Sequence, residues 1–219
     1  MKKHMSVGLL ALLLLAASLA LASCAGPGSS GEQGSGEQES GESEDGMQGM
    51  DHGSASTSAS ETLMENGEYS DERFIDAMAP HHQGAVDMAR VALVNAEHPE
   101  IRQLAENIIS SQEAEIEELR SIKEEQFGDP EVPTEMSPEE MEMMGTMEDP
   151  GELENQEPFD RAFIDAMIPH HESAIEMAGV ASEETDNPRI RDLTQRIIEA
   201  QEGEIEQMTA WREEWYPEG

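Results

Sequence analysis

Cysteine is nearly absent: the chain has one, Cys24, so no internal disulfide can form and no thiolate is available as a nucleophile or metal ligand in the folded part. Basic residues are also scarce, with 12 Lys and Arg against 49 Asp and Glu and a formal net charge of −37. That field repels nucleic acid and anionic lipid headgroups and concentrates cations. Aromatic residues are 4% of the chain, and alternating apolar segments or β-branched runs of useful length are missing, which argues against a sheet protein. No Ser-His or Cys-His turn motif of a hydrolase occurs, and a blue-copper site would need a Cys ligand.

One apolar run exists, from Val7 to Leu21 behind Lys2 and Lys3, too short for an ordinary membrane span. It reads as a secretory signal over residues 1–23, and Leu21-Ala22-Ser23-Cys24 resembles a bacterial lipobox, with Cys24 as the lipid anchor. The expected localisation is extracytoplasmic, on the bacterial cell membrane and attached only through that lipid. Residues 24–68 begin as a Gly, Ser, Glu and Gln tract that cannot bury enough surface to order itself, and they are expected to be a flexible acidic tether.

Beyond the tether the chain is written twice. "FIDAMAPHHQGAVDMA", Phe74 to Ala89, returns as "FIDAMIPHHESAIEMA", Phe163 to Ala178, and the register holds without a gap to Phe127 on Tyr216. Ile101, Leu104, Ala105, Ile108, Ile116 and Leu119 recur at helical steps, as do Ile190, Leu193, Ile197, Ile205, Met208 and Trp211. Pro99 and Pro188 suit first helical positions, after His98 and Asn187. The expected fold is all-α: a ferritin-like four-helix bundle built from helical repeats at 69–127 and 159–219, joined by a Met-rich crossover at 128–158.

Both copies carry M-x2-H-H-x5-M: Met78, His81, His82 and Met88, then Met167, His170, His171 and Met177. On a helix these four side chains fall within about 120° of one another, the width of a buried stripe. One helix cannot bring all four to one ion, because His81 to Met88 rises about 10.5 Å. Pro80 and Pro169 are expected to break the helix, leaving each His pair in the first turn of a longer one. Thioether and imidazole donors select copper, as Cu(I) and also Cu(II), with Ag(I) as a mimic; zinc would call for Cys or carboxylate as well. Methionine at helical spacing is also ordinary core filler.

Met47, Met50 and His52, and Met136, Met141, Met143, Met144 and Met147, are auxiliary metal-site candidates. Gln112 and Gln201 fall on apolar faces, where a buried amide either orients a His ring or pairs within the core.

The D-A-M-x-P-H-H core, the A-x-x-M-A after it, and "IISSQEAEIEEL" with "IIEAQEGEIEQM" resemble domain-of-unknown-function family 305, which includes CopM-like copper-binding proteins. The resemblance implies a helical bundle outside the cytoplasm that handles copper through the matching Met and His residues. The expected function is therefore a lipid-anchored copper-binding protein that sequesters copper or passes it to a transfer partner, in copper tolerance or homeostasis, without turnover. Neither oligomeric state nor metal count follows from the sequence. The rivals are a ferritin-like dinuclear metal oxidase, opposed by Met78 and Met167 standing where Glu-x-x-His would place Glu, and a metal-free helical envelope module.

Overall fold

The computed structural model describes residues 58–137, 141 and 150–217. Helix α1, Ser58–Glu61, is one turn, and strands β1, Met64–Glu65, and β2, Glu68–Tyr69, form an antiparallel hairpin. Its turn is Asn66-Gly67, both at positive φ (54° and 86°), as a two-residue hairpin requires. This part of the span expected as tether is packed on the bundle: Ala59 and Leu63 are buried. Cys24 and residues 1–23 lie outside the described residues, as do Met47, Met50, His52, Met143, Met144 and Met147.

Helix α2, Asp71–Asn95, starts where the Ser70 hydroxyl accepts the Arg73 N–H and where Asp71 and Glu72 face the positive end of the helix dipole. It stops at Ala96, which is extended at ψ 136°. His98 is extended too, as a residue before proline prefers, and Pro99 opens helix α3, Pro99–Phe127. Gly128, at φ 78°, ends α3 in the left-handed region and donates its N–H to the Glu124 carbonyl. After a 3-10 turn at Pro150–Asn155 the pattern repeats: helix α4, Phe159–Glu184, then the Asn187 cap and helix α5, Pro188–Trp215. Each consecutive pair is a hairpin, and α2 packs across α4, giving the expected body of two helical hairpins.

The expected helix break is absent. Pro80 and Pro169 lie inside α2 and α4, and the His pairs sit in mid-helix. A proline removes one helix hydrogen bond and costs about 3 kcal/mol. Phe74, Ile75 and Met78 before Pro80, and Ala85, Val86 and Met88 after it, are all buried on one helix, and breaking the helix would sacrifice that packing.

The hairpins hold each other by reciprocal contacts. Asp160, at the start of α4, accepts the N–H groups of Glu97 (3.0 Å) and His98 (2.8 Å) in the first hairpin's turn, and its carboxylate lies 2.6 Å from His98 Nδ1. The His98 ring stacks on Trp215, centroids 3.8 Å apart. Asp71, at the start of α2, accepts the Thr185 hydroxyl (2.7 Å) in the second hairpin's turn. Within the hairpins, Lys123 pairs with Asp76 (2.6 Å) and, at the equivalent positions of the second repeat, Arg212 pairs with Asp165 (2.7 Å).

Candidate metal centre

The apolar interior is in two parts. One gathers Phe74, Met78, Leu119, Met177, Ile190 and Ile197; the other gathers Met88, Ile101, Ile108, Phe163, Met167 and Met208. Between these parts every helix carries a polar pair: His81 and His82 on α2, Gln112 and Glu115 on α3 beside the buried Ile116, His170 and His171 on α4, Gln201 and Glu204 on α5. A duplicated sequence thus builds a polar belt across the middle of the bundle, with two of the motif methionines in the core on each side.

The four imidazoles are buried, with His170 at 2% exposure and the other three at 0%. The His81 and His170 rings meet at the centre, centroids 3.9 Å apart and tilted by 42°. Burial, and then the neighbouring imidazoles, hold both well below the usual histidine pKa, so both are neutral near pH 7.

Hydrogen bonds assign the tautomers. The Ser173 hydroxyl donates its single proton to the His170 carbonyl (2.9 Å) and therefore accepts from His81 Nε2–H (2.8 Å). His171 Nε2 donates to the Glu204 carboxylate at 2.7 Å. His82 Nε2 is 2.9 Å from Glu115 Oε2, a close electrostatic contact without hydrogen-bond alignment, and a carboxylate beside Nε2 favours the proton there. In each of the three imidazoles Nε2 faces a neighbouring polar side chain, and all three Nδ1 atoms are buried without a hydrogen-bond partner. His170 has neither ring nitrogen paired.

Four buried imidazoles with unpaired nitrogens cost stability unless something uses them. Among the described residues no three His, Cys or carboxylate side chains are grouped to hold an ion. Thioether side chains adjoin the belt on both sides, Met78 and Met177 in one core and Met88 and Met167 in the other, and thioether sulfur is a soft donor class that suits Cu(I). Because those pairs lie in different halves, the eight motif residues do not converge on a single point.

Gln112 and Gln201 are buried in the belt as the sequence suggested, but their Oε1 atoms have no hydrogen-bond partner. The carboxylates three residues later, Glu115 and Glu204, make the imidazole contacts instead. Sequence reasoning missed them: in a chain with 49 acidic residues one more Glu carries little signal, although both stand three residues after a buried Gln in equivalent copies. Of the auxiliary methionines, Met136 and Met141 are described, and both line a cavity beside His170.

The family described as "Domain of unknown function (DUF305)" matches residues 20–123 and 71–212. Among solved structures, CopM in its Cu(I)-bound form is 42% identical, with a TM-score of 0.60, over 68% of this chain and 99% of that one. The Cu(II)-bound form gives a TM-score of 0.63 at the same identity and coverage. CopM is also known in an Ag-bound form. A DUF305 fragment from Deinococcus radiodurans is 28% identical with a TM-score of 0.57, over 64% of this chain and 93% of that one. An uncharacterized protein, L153 of Acanthamoeba polyphaga mimivirus, is 40% identical over 55 residues, 25% of this chain and 36% of that protein's length. With the family match spanning most of the folded body, the chain belongs to the DUF305 family.

Proposed function

We propose that this protein binds copper, Cu(I) foremost, at the imidazole belt, and that it sequesters the ion or hands it on without turnover. The observation that carries the reading is the set of buried imidazoles whose Nδ1 atoms have no protein partner, flanked by thioethers on both sides. The Cu(I)-, Cu(II)- and Ag-bound states of CopM, at about 40% identity over two thirds of the chain, support the same ligand class. The lipobox at Cys24 and the leader before it support an extracytoplasmic, lipid-anchored role in copper homeostasis. Among the described residues no helix is long and apolar enough to cross a membrane.

The oxidase alternative calls for a carboxylate-rich site, with Glu from all four helices and His from two. The belt has Glu on α3 and α5 only. The metal-free alternative calls for His and Met side chains with no shared cavity, yet His170 shares one with Met88, Met136 and Met141.

The test is an anaerobic titration of the mature protein with Cu(I) against a competing chelator, with Zn(II) and Fe(II) in parallel. Tight Cu(I) binding beside weak Zn(II) and Fe(II) binding is expected. Failure to compete for Cu(I) would leave the belt as a purely structural element.

A further inference from the structure

The two repeats carry the same histidines, glutamines and glutamates in the belt, but one adjoining contact differs. Ser173 on α4, whose hydroxyl accepts His81 Nε2–H, has Gly84 as its equivalent on α2. Glycine has no side chain to offer His170 Nε2, which is buried and has no hydrogen-bond partner. A Cβ placed on Gly84 would sit 3.3 Å from His170 Nε2 and 3.9 Å from the Met136 terminal methyl carbon. An imidazole nitrogen and a thioether side chain thus converge on the place where a side chain is missing.

That place belongs to a cavity of about 300 Å³, lined by Gly84, Met88, His170, Met136 and Met141 among others. Met136 and Met141 come from the crossover, outside the repeat, so only one of the two equivalent histidines meets them. Asp87 also lines the cavity, but its carboxylate already accepts from Gln83 and Arg90, both at 3.0 Å. Thr134 and the exposed Glu135 line it as well, while the donors at the buried end, beside Gly84, are the His170 nitrogen and the Met88 and Met136 thioethers, a set that prefers Cu(I) or Ag(I) to zinc or calcium.

We propose a second soft-metal site, distinct from the belt's Nδ1 atoms, in which His170 Nε2 and the thioethers of Met136 and Met141 hold Cu(I) or Ag(I) in the gap left by Gly84. The site is partly open to solvent and contiguous with a belt histidine, which suits it to receive the ion first. The inference rests on the copper-binding reading and adds a separate location to it.

The test is Ag(I) titration of the mature protein, read as bound ions per chain by native mass spectrometry and by competition. Two variants report on the site independently: Gly84→Ser, which supplies the second repeat's serine, and the paired Met136→Leu and Met141→Leu change, which keeps apolar volume and lies outside α2 to α5. Each is expected to bind one Ag(I) fewer than the parent. A His82→Gln, His171→Gln variant is expected to lose belt binding and keep the ion that the methionine variant loses. Unchanged stoichiometry in both the glycine and the methionine variants overturns the second site while leaving belt binding intact. A parent protein that binds no Ag(I) or Cu(I) overturns the copper reading and this inference together.

Discussion

His81 and His170, equivalent residues of the two repeats, lie ring against ring with centroids 3.9 Å apart, yet only His81 has a hydrogen-bond partner for its Nε2. Two neutral, buried bases in contact make the centre of the bundle sensitive to protons and to soft cations, and several outcomes follow from their surroundings.

Acid should destabilise the metal-free protein through this pair. Both pKa values are lowered by folding, so below about pH 6.5 the unfolded chain takes up protons that the folded chain refuses. Stability is full above that pH and falls as the pH drops toward the lowered folded values, with a slope approaching about 1.4 kcal/mol per pH unit for each imidazole. Urea midpoints at pH 7.5, 6.5 and 5.5 should decline, and a His81→Gln, His170→Gln variant should show a shallower decline. Parallel profiles for the two proteins would show that this pair does not set the pH response.

Replacing His82 and His171 with Gln should weaken Cu(I) binding well over tenfold while circular dichroism keeps nearly the same helix content. Unaltered affinity in that variant would move the principal binding away from the belt.

Glu115 and Glu204 hold the Nε2 sides of His82 and His171. Carboxylates behind metal-binding imidazoles fix the tautomer and raise donor strength, and losing one commonly costs about 10–100-fold in affinity. Glu115→Gln and Glu204→Gln should each weaken Cu(I) binding within that range, measured by chelator competition. Wild-type affinity in both would reduce these residues to helix-packing contacts.

Asp160 accepts two backbone N–H groups and contacts His98 Nδ1 from a fully buried position. Asp160→Ala strands those donors and should lower unfolding free energy by about 3 kcal/mol. Cu(I) stoichiometry at low temperature should be unchanged, because the turn it ties down is remote in sequence from the belt histidines. A loss below 0.5 kcal/mol, roughly the size of an ordinary surface substitution, would contradict the interlock.

Much of this architecture was readable in advance. The duplicated Phe74 and Phe163 segments gave two hairpins, and Pro99 and Pro188 marked helix starts, because repetition and first-turn proline act locally. Pro80 and Pro169 misled because a local preference for a break is outweighed by tertiary packing on both sides of the proline, which one strand of sequence does not display. The role of Glu115 was hidden by the abundance of acidic residues. The contrast between Gly84 and Ser173 was visible as an aligned difference, but only the geometry shows that it leaves His170 Nε2 uncapped beside Met136.

The central claim is that belt imidazoles present Nδ1 to the metal while Ser173, Glu115 and Glu204 hold Nε2. Long-range proton–nitrogen correlation NMR on the mature protein, metal-free and then with one equivalent of Cu(I), tests it directly. The account predicts Nε2–H tautomers for His81, His82 and His171 without metal, and Nδ1 resonances that move on Cu(I) addition while the Nε2 protons remain. Nδ1–H tautomers in the metal-free protein, or Nδ1 resonances that ignore Cu(I), would contradict it.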